Sequence, residues 1–174
     1  MDRYLIVANQ TLGGEELDRT VRDRIGRGES RFYIIVPMTA PMHETDVWTG
    51  GFDPYRGMTR TQIEEARRAK EEYEQAREEL LAGARSRAEQ RLAQMIGAIE
   101  AAGATADGGV GDADPTVAVQ QTLRNQSFDE IIISTLPTRL SRWLRMDLPS
   151  RVSRMTDTPV TTIEAADART GSPR

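Results

Sequence analysis

Two hydroxyl residues and a row of arginines follow a short apolar run near the end of the chain. Ser134 and Thr135 come directly after the run at residues 131–133. The basic residues beyond them are Arg139, Arg142, Arg145, Arg151 and Arg154. Arginine binds phosphate or carboxylate oxygens through paired hydrogen bonds, and a spacing of three places the first three arginines on about one helical face. The segment predicts an anion site. The alternative is a solvated helix face paired with nearby aspartates.

The hydroxyls of Ser134 and Thr135 also have two interpretations. They can donate hydrogen bonds to a ligand at the end of a strand, or they can cap the turn that follows. The turn contains no glycine, and Pro137 removes one backbone amide of the kind that wraps a phosphate. The residues alone leave open whether a phosphate site is kept, changed or lost here.

The composition excludes several classes of protein. With 174 residues, 38% hydrophobic, the chain is long enough for one domain with its own core. It has no cysteine, which excludes disulfides, thiol catalysis and iron–sulfur clusters. Its net charge of −4 argues against nucleic acid as a partner. No apolar run approaches the roughly 18 residues of a membrane span or resembles a signal peptide, so we expect a cytoplasmic protein without a membrane partner.

Apolar runs alternate with helical patterns along the chain. The runs that predict strands are at residues 4–8, 31–36, 105–110, 130–134 and 159–163. The helical patterns are at residues 15–25, 59–102, from 115 onward, and 141–155. Strict alternation predicts an α/β fold with a parallel sheet and helices on both faces. We expect one domain at residues 1–164, with an insertion at about 38–79 and a flexible tail at 165–174.

The predicted insertion has two parts. Residues 38–58 are rich in proline and glycine and contain three aromatic residues, which is typical of a lid, a cover for a sheet edge or a dimer contact. Residues 60–79 are highly charged, with opposite charges one turn apart that favour a solvated helix. A coiled-coil partner is the alternative for this helix, although large apolar residues are not sustained at heptad spacing.

Three segments of the chain resemble the universal stress protein superfamily, an adenine-nucleotide-binding α/β group with five parallel strands. They read YLIVANQT at 4–11, VGDADPTVAV at 110–119, and FDEIIIST at 128–135 with the closing TPVTTI at 158–163. The resemblance implies a sheet order of 3-2-1-4-5 and a ligand cleft between strands 1 and 4, at their carboxyl ends. It also implies a role in the stress response and a homodimer, which would cover the exposed edge of strand 5.

Carried over position by position, the resemblance assigns ligand-binding roles to particular residues. Asn9 stands where ATP-binding members have an aspartate, and Asp147 stands near where the phosphates would lie, in place of a glycine. An adenine nucleotide such as ATP is the cofactor that the resemblance implies; the residues alone require none. The candidate contacts are Asn9 and Gln10 for the polar head, Val36 and Val110 for the apolar part with Gly111 beside them, and Ser134, Thr135, Arg139 and Arg142 for the anion.

The function that the sequence favours is binding or regulation, in a universal stress protein-like protein that binds a nucleotide or another anionic small molecule. No catalytic residue is assigned, because His43 is the only histidine and no nucleophile elbow lies near it. No metal site is assigned. Two alternatives stay open: a structural or interaction protein that acts through its dimer surface and helical insertion, and an ATP-using enzyme.

Overall fold

A computed structural model of the chain describes residues 1–8, 10–38, 57–137 and 140–165, without the side chains of Arg142 and Arg145. Contacts divide the chain into two compact units, Met1–Thr39 with Arg85–Arg174, and Ala40–Ala84. Most of the predicted lid at residues 38–58, and the predicted tail beyond residue 165, lie outside the described residues.

Within the described residues, five parallel strands form one sheet in the first unit. They are β1 (Asp2–Val7), β2 (Ser30–Pro37), β3 (Thr105–Gly111), β4 (Glu130–Thr135) and β5 (Val160–Glu164). Their order in the sheet is β3-β2-β1-β4-β5. At the centre, Ile6 of β1 lies opposite Ile34 on one side and Ile132 on the other. The α/β class, the parallel sheet and the strand order 3-2-1-4-5 are therefore confirmed.

Helical segments connect the strands. They are α1 (Glu15–Gly26), α2 (Arg60–Ala101), α3 (Pro115–Asn125), α4 (Arg142–Arg145) and α5 (Leu148–Ser153). Asp114 caps α3, and its carboxylate accepts a hydrogen bond from the Thr116 amide at 2.8 Å. Pro149 lies in the first turn of α5, where proline is tolerated. The helix predicted at residues 141–155 is interrupted at residues 146–147, before Pro149. None of the described helices combines the length and the apolarity needed to cross a membrane.

Helices cover both faces of the sheet. Successive strand residues point to opposite faces, so β1 supplies Ile6 to one core and Leu5 and Val7 to the other. On the first face, α1 and residues 85–101 of α2 pack against the sheet. On the second face, α3 and α5 do so. The helices on the two faces hold the carboxyl ends of the strands in place. Each connection between strands crosses one face of the sheet or the other.

An ion pair joins α1 to the start of β4 in the first unit. The Arg24 guanidinium donates to both carboxylate oxygens of Glu130, each at 2.8 Å. The Thr161 hydroxyl donates to the same carboxylate at 2.6 Å. The side chains of Arg24 and Glu130 are only 12% and 14% exposed. One partly buried carboxylate therefore connects α1, β4 and β5.

Candidate functional site

The carboxyl ends of β1 and β4 lie side by side at the centre of the sheet. β1 has β2 on one side and β4 on the other. The chain leaves β1 into α1 on one face, and it leaves β4 toward α5 on the other. Neighbouring parallel strands whose connections run to opposite faces leave a crevice between those connections, and open α/β sheets bind their ligands in such crevices. The cleft that was expected between strands 1 and 4 has this topology.

Buried hydroxyl residues lie at or just beyond both of these strand ends. Thr11, Ser134, Thr135 and Ser141 are each at most 5% exposed. The Thr11 hydroxyl donates to the Ser134 carbonyl at 3.0 Å, which ties the loop after β1 to β4. The Thr135 and Ser141 hydroxyls share a hydrogen bond, and the Ser141 oxygen accepts from the Leu144 amide at 3.1 Å. These contacts form a buried, internally hydrogen-bonded polar cluster at this end of the sheet.

The turn after β4 is closed by backbone hydrogen bonds. The Pro137 carbonyl accepts from the amides of Leu140 at 2.7 Å and Ser141 at 2.9 Å. The Thr135 carbonyl accepts from the Ala165 amide, just beyond β5, at 2.9 Å. The amides of Leu140 and Ser141 are therefore used inside the protein and cannot wrap a phosphate as the amides of a glycine-rich loop do.

The residues predicted to contact the apolar part of a ligand lie near the carboxyl ends of β2 and β3. Val36 lies opposite Val110 in the register of these strands, but Val36 is fully buried in the core on the α1 face. Val110 and Gly111 border a groove of about 220 Å³ beside α3, whose walls do not include Val36. A Cβ atom at Gly111 would lie 2.8 Å from the Ala118 Cβ atom. Gly111 therefore lets α3 approach β3 closely, whatever it contributes to a ligand.

The remaining predicted contacts are described only in part. Gln10 is exposed in the loop after β1. Asn9 and Arg139 lie outside the described residues, as does the side chain of Arg142, which begins α4. The structure therefore brings Gln10, Ser134 and Thr135 to one end of the sheet, and the anion-binding role of the first arginines stays a prediction.

Sequence reasoning missed Thr11 and Ser141 as parts of the site. Ser141 immediately precedes α4, and its hydroxyl oxygen accepts from the amide three residues later, which is the pattern of a helix N-cap. A serine before a short helical segment was therefore a usable signal. No comparable signal marks Thr11, because its partner, the Ser134 carbonyl, is 123 residues away.

A hydroxyl in the first turn of α3 has no hydrogen-bond partner among the described residues. It belongs to Thr116, which is 6% exposed. Leaving a buried hydroxyl unpaired costs about 1–3 kcal/mol. Because α3 starts just after the carboxyl end of β3, this group lies at the same end of the sheet as Ser134 and Thr135. It is a polar atom that a ligand or a water molecule can satisfy.

Asp147 has a backbone conformation that is typical of glycine. Its φ and ψ of 54° and 40° are left-handed, a conformation that glycine adopts easily and aspartate more readily than most residues. It is the only non-glycine residue with a positive φ in the described parts of the chain. Its carboxylate lies 3.3 Å from the Arg154 guanidinium, and both side chains are exposed. A turn with a left-handed residue therefore carries a negative charge at this position.

Comparison with known proteins agrees with this geometry at the level of the fold. No protein-family model matches the sequence, and no curated protein matches it. Among solved structures, the chain is similar to the universal stress protein from Archaeoglobus fulgidus, with a TM-score of 0.52 and 10% identity over 94% of this chain and 93% of that one. A hypothetical protein matches with a TM-score of 0.43 and 14% identity over 95% and 98% of the two chains. The first similarity and the strand order agree: this chain has the universal stress protein fold.

Proposed function

We propose that this protein is a binding or regulatory protein that takes a nucleotide or another anionic small molecule in the cleft between β1 and β4. The observation that supports this most is the coincidence of the crevice with buried hydroxyls. Thr11, Thr135 and Ser141 are buried where the two central strands end. Ligands of open α/β sheets bind at this place, and a polar ligand needs fixed polar groups there.

The hydrogen bonds between the buried hydroxyls decide which of them can donate to a ligand. The Leu144 amide donates to the Ser141 hydroxyl oxygen. When Ser141 in turn donates to Thr135, Thr135 keeps its own hydrogen for an acceptor, such as a phosphate or carboxylate oxygen. Arg139 and Arg142 follow within seven residues of Thr135 and supply the positive charge that an anion requires.

The other end of the ligand meets the loop after β1. Asn9 and Gln10 offer amide groups that can both donate and accept hydrogen bonds, which suits a purine base or another polar head. In this proposal the protein works in the cytoplasm as a homodimer in a stress response, and an adenine nucleotide is the first ligand to test. Nothing in the cleft is assigned a catalytic role.

Thermal unfolding with and without nucleotides tests the proposal. We expect one of ATP, ADP, AMP or cyclic AMP, with or without Mg²⁺, to raise the melting temperature. A ligand present at about 100 times its dissociation constant adds roughly 2.7 kcal/mol to stability, which corresponds to several degrees in a domain of this size. If none of these ligands, nor inorganic phosphate, shifts the transition, the proposed nucleotide site does not exist.

Asp147→Asn should raise the affinity of the cleft for a phosphate-bearing ligand about threefold to tenfold. Removing a carboxylate near the anion relieves a repulsion of about 1 kcal/mol at the protein surface. Asparagine tolerates the left-handed backbone, so the turn should be preserved. The matched control is Asp157→Asn, an exposed carboxylate before β5 at the opposite end of the sheet. Titration of both variants with ATP measures the effect, and equal affinities would mean that Asp147 lies far from the bound anion.

A second candidate function is that of an interaction protein that works through α2. Nearly all residues of α2 from Arg60 to Leu80 are exposed, although the helix is continuous over 42 residues. An exposed helix of this length can be stabilised by ion pairs one turn apart, such as Lys70–Glu74, and it offers a long surface to a partner. Tight self-association without any ligand-induced stabilisation would favour this candidate over the first.

A further inference from the structure

The part of α2 in the second unit carries small or apolar residues at a strict heptad spacing. These residues, which we call the heptad seam, are Ala66, Ala69, Tyr73, Ala76, Leu80 and Gly83. The spacing alternates between three and four residues, as in the a and d positions of a coiled coil. Ala69 and Ala76 are exposed, and Tyr73 and Leu80 remain 46% and 52% exposed. An apolar stripe therefore runs along an exposed helix.

The residues on either side of the heptad seam repeat with the same period. Residues 66–72 read ARRAKEE and residues 73–79 read YEQAREE, so both heptads end in alanine, a basic residue and two glutamates. Lys70 and Arg77 occupy the e positions on one side of the seam. The g positions on the other side hold Glu65, Glu72 and Glu79. The seam thus has one basic border and one acidic border.

This arrangement of charges favours a second copy of the same helix as the partner, in the parallel orientation. In a parallel pair of helices, a g residue faces the e residue five positions later on the other helix, and such pairs set partner choice. Two copies of this helix in parallel would place Glu65 opposite Lys70 and Glu72 opposite Arg77. In an antiparallel pair, g faces g and e faces e, so every such contact would join like charges.

The ion pair that Lys70 makes inside the helix does not oppose this pairing. Lys70 lies 3.7 Å from Glu74 of the same helix, and both side chains are more than half exposed. An exposed pair of this kind contributes little to stability, so Lys70 can turn toward an acidic neighbour without a large loss. The small residues of the seam supply little apolar area, which leaves the charged borders to fix the register.

We propose that the heptad seam binds a second copy of this chain, with the two helices parallel and in register as a short coiled coil. The surface is distinct from the cleft and from the edge of β5, and the proposal does not depend on whether the cleft binds a ligand. Four of the six seam residues, Ala69, Tyr73, Ala76 and Leu80, are exposed, and Ala66 and Gly83 are partly exposed.

Cysteine cross-linking of the full chain tests the geometry, because the protein has no cysteine of its own. In a parallel pair in register, each seam residue meets its own copy, so Ala69→Cys and Ala76→Cys should each form disulfide-linked dimers on mild oxidation. The controls are Glu71→Cys and Glu78→Cys, which lie on the outer side of the same heptads. We expect the seam variants to give about ten times more cross-linked dimer than the controls.

Each outcome decides the proposal. Equal cross-linking of seam and control variants would overturn it. Cross-linking at only one of the two seam positions would also overturn it, because an antiparallel pair can bring at most one of them to its own copy.

A mixing experiment checks the charges on the two borders. One variant is Lys70→Glu/Arg77→Glu and the other is Glu65→Lys/Glu72→Lys, and both carry Ala76→Cys. Each variant should cross-link poorly alone, and the two should cross-link well when they are mixed. Circular dichroism checks that the helix is intact in each variant. If mixing does not increase the amount of cross-linked dimer, the assignment of one acidic and one basic border is wrong.

Discussion

Gly108→Ala should lower the free energy of unfolding by about 3 kcal/mol, the upper range for overpacking a protein interior. Gly108 lies in β3 directly against β2. An added Cβ atom would lie 2.2 Å from the Ile34 carbonyl oxygen and 2.9 Å from the Leu92 Cδ1 atom. The carbonyl belongs to the backbone of a paired strand, so it cannot move aside without disturbing the β2–β3 ladder. Urea denaturation monitored by circular dichroism measures the change.

The neighbouring glycine is the matched control. At Gly109, an added Cβ atom would meet only the Tyr33 hydroxyl, at 3.8 Å, which is an ordinary contact. Gly109→Ala should therefore leave stability unchanged or raise it by about 0.5–1 kcal/mol, since alanine restricts the unfolded chain more than glycine does. Similar losses in both variants would show that the close approach of Ile34 to Gly108 is not the cause.

Arg24→Met should cost about 3 kcal/mol at neutral pH, because it leaves a mostly buried carboxylate without its partner. Glu130 is 14% exposed and receives both of its charged hydrogen bonds from Arg24. The control is Arg85→Met, which breaks a 3.0 Å pair with Glu89 in which both side chains are more than half exposed. That loss should stay below about 1 kcal/mol. Urea denaturation at neutral pH compares the two, and equal losses would contradict the assigned role of Arg24.

The same ion pair makes stability depend on pH. Hydrogen bonds from Arg24 lower the pKa of Glu130 below its ordinary value of 4.5, and burial opposes this only in part. A carboxyl group whose pKa is lower in the folded state stabilises the protein above its unfolded pKa, and the contribution disappears as the pH falls through the folded pKa. The wild-type protein should therefore lose more stability than Glu130→Gln as the pH falls below 4.5. Parallel acid profiles of the two would contradict this account.

The sheet could be predicted from the sequence because its strands are short apolar runs between turn residues. All five predicted strands are present, with ends that differ from the prediction by at most two residues. The helix starting at Pro115 was predictable because Asp114 is a local cap. The strand order followed from the resemblance to a family, since alternation alone does not fix which strand is central.

The details of the site could not be predicted because they depend on residues far apart in the chain. Arg24 and Glu130 are separated by 106 positions, and Thr11 and Ser134 by 123. The left-handed backbone at Asp147 also gives no signal in the sequence. Large apolar residues alone do not mark the heptad spacing of α2, because half of its positions are alanine, and its meaning depends on the exposure of residues such as Leu80, which only the structure gives.

The most direct test of the proposed function is a calorimetric titration of the full chain with ATP, AMP and inorganic phosphate. The same titration is made with Arg139→Ala, from the predicted anion site, and with Arg124→Ala, an exposed arginine at the end of α3. We predict saturable binding of one ligand per chain, weakened about tenfold, or roughly 1.4 kcal/mol, by Arg139→Ala and unchanged by Arg124→Ala. No binding to the wild-type protein, or equal weakening in both variants, would contradict an anion site after β4.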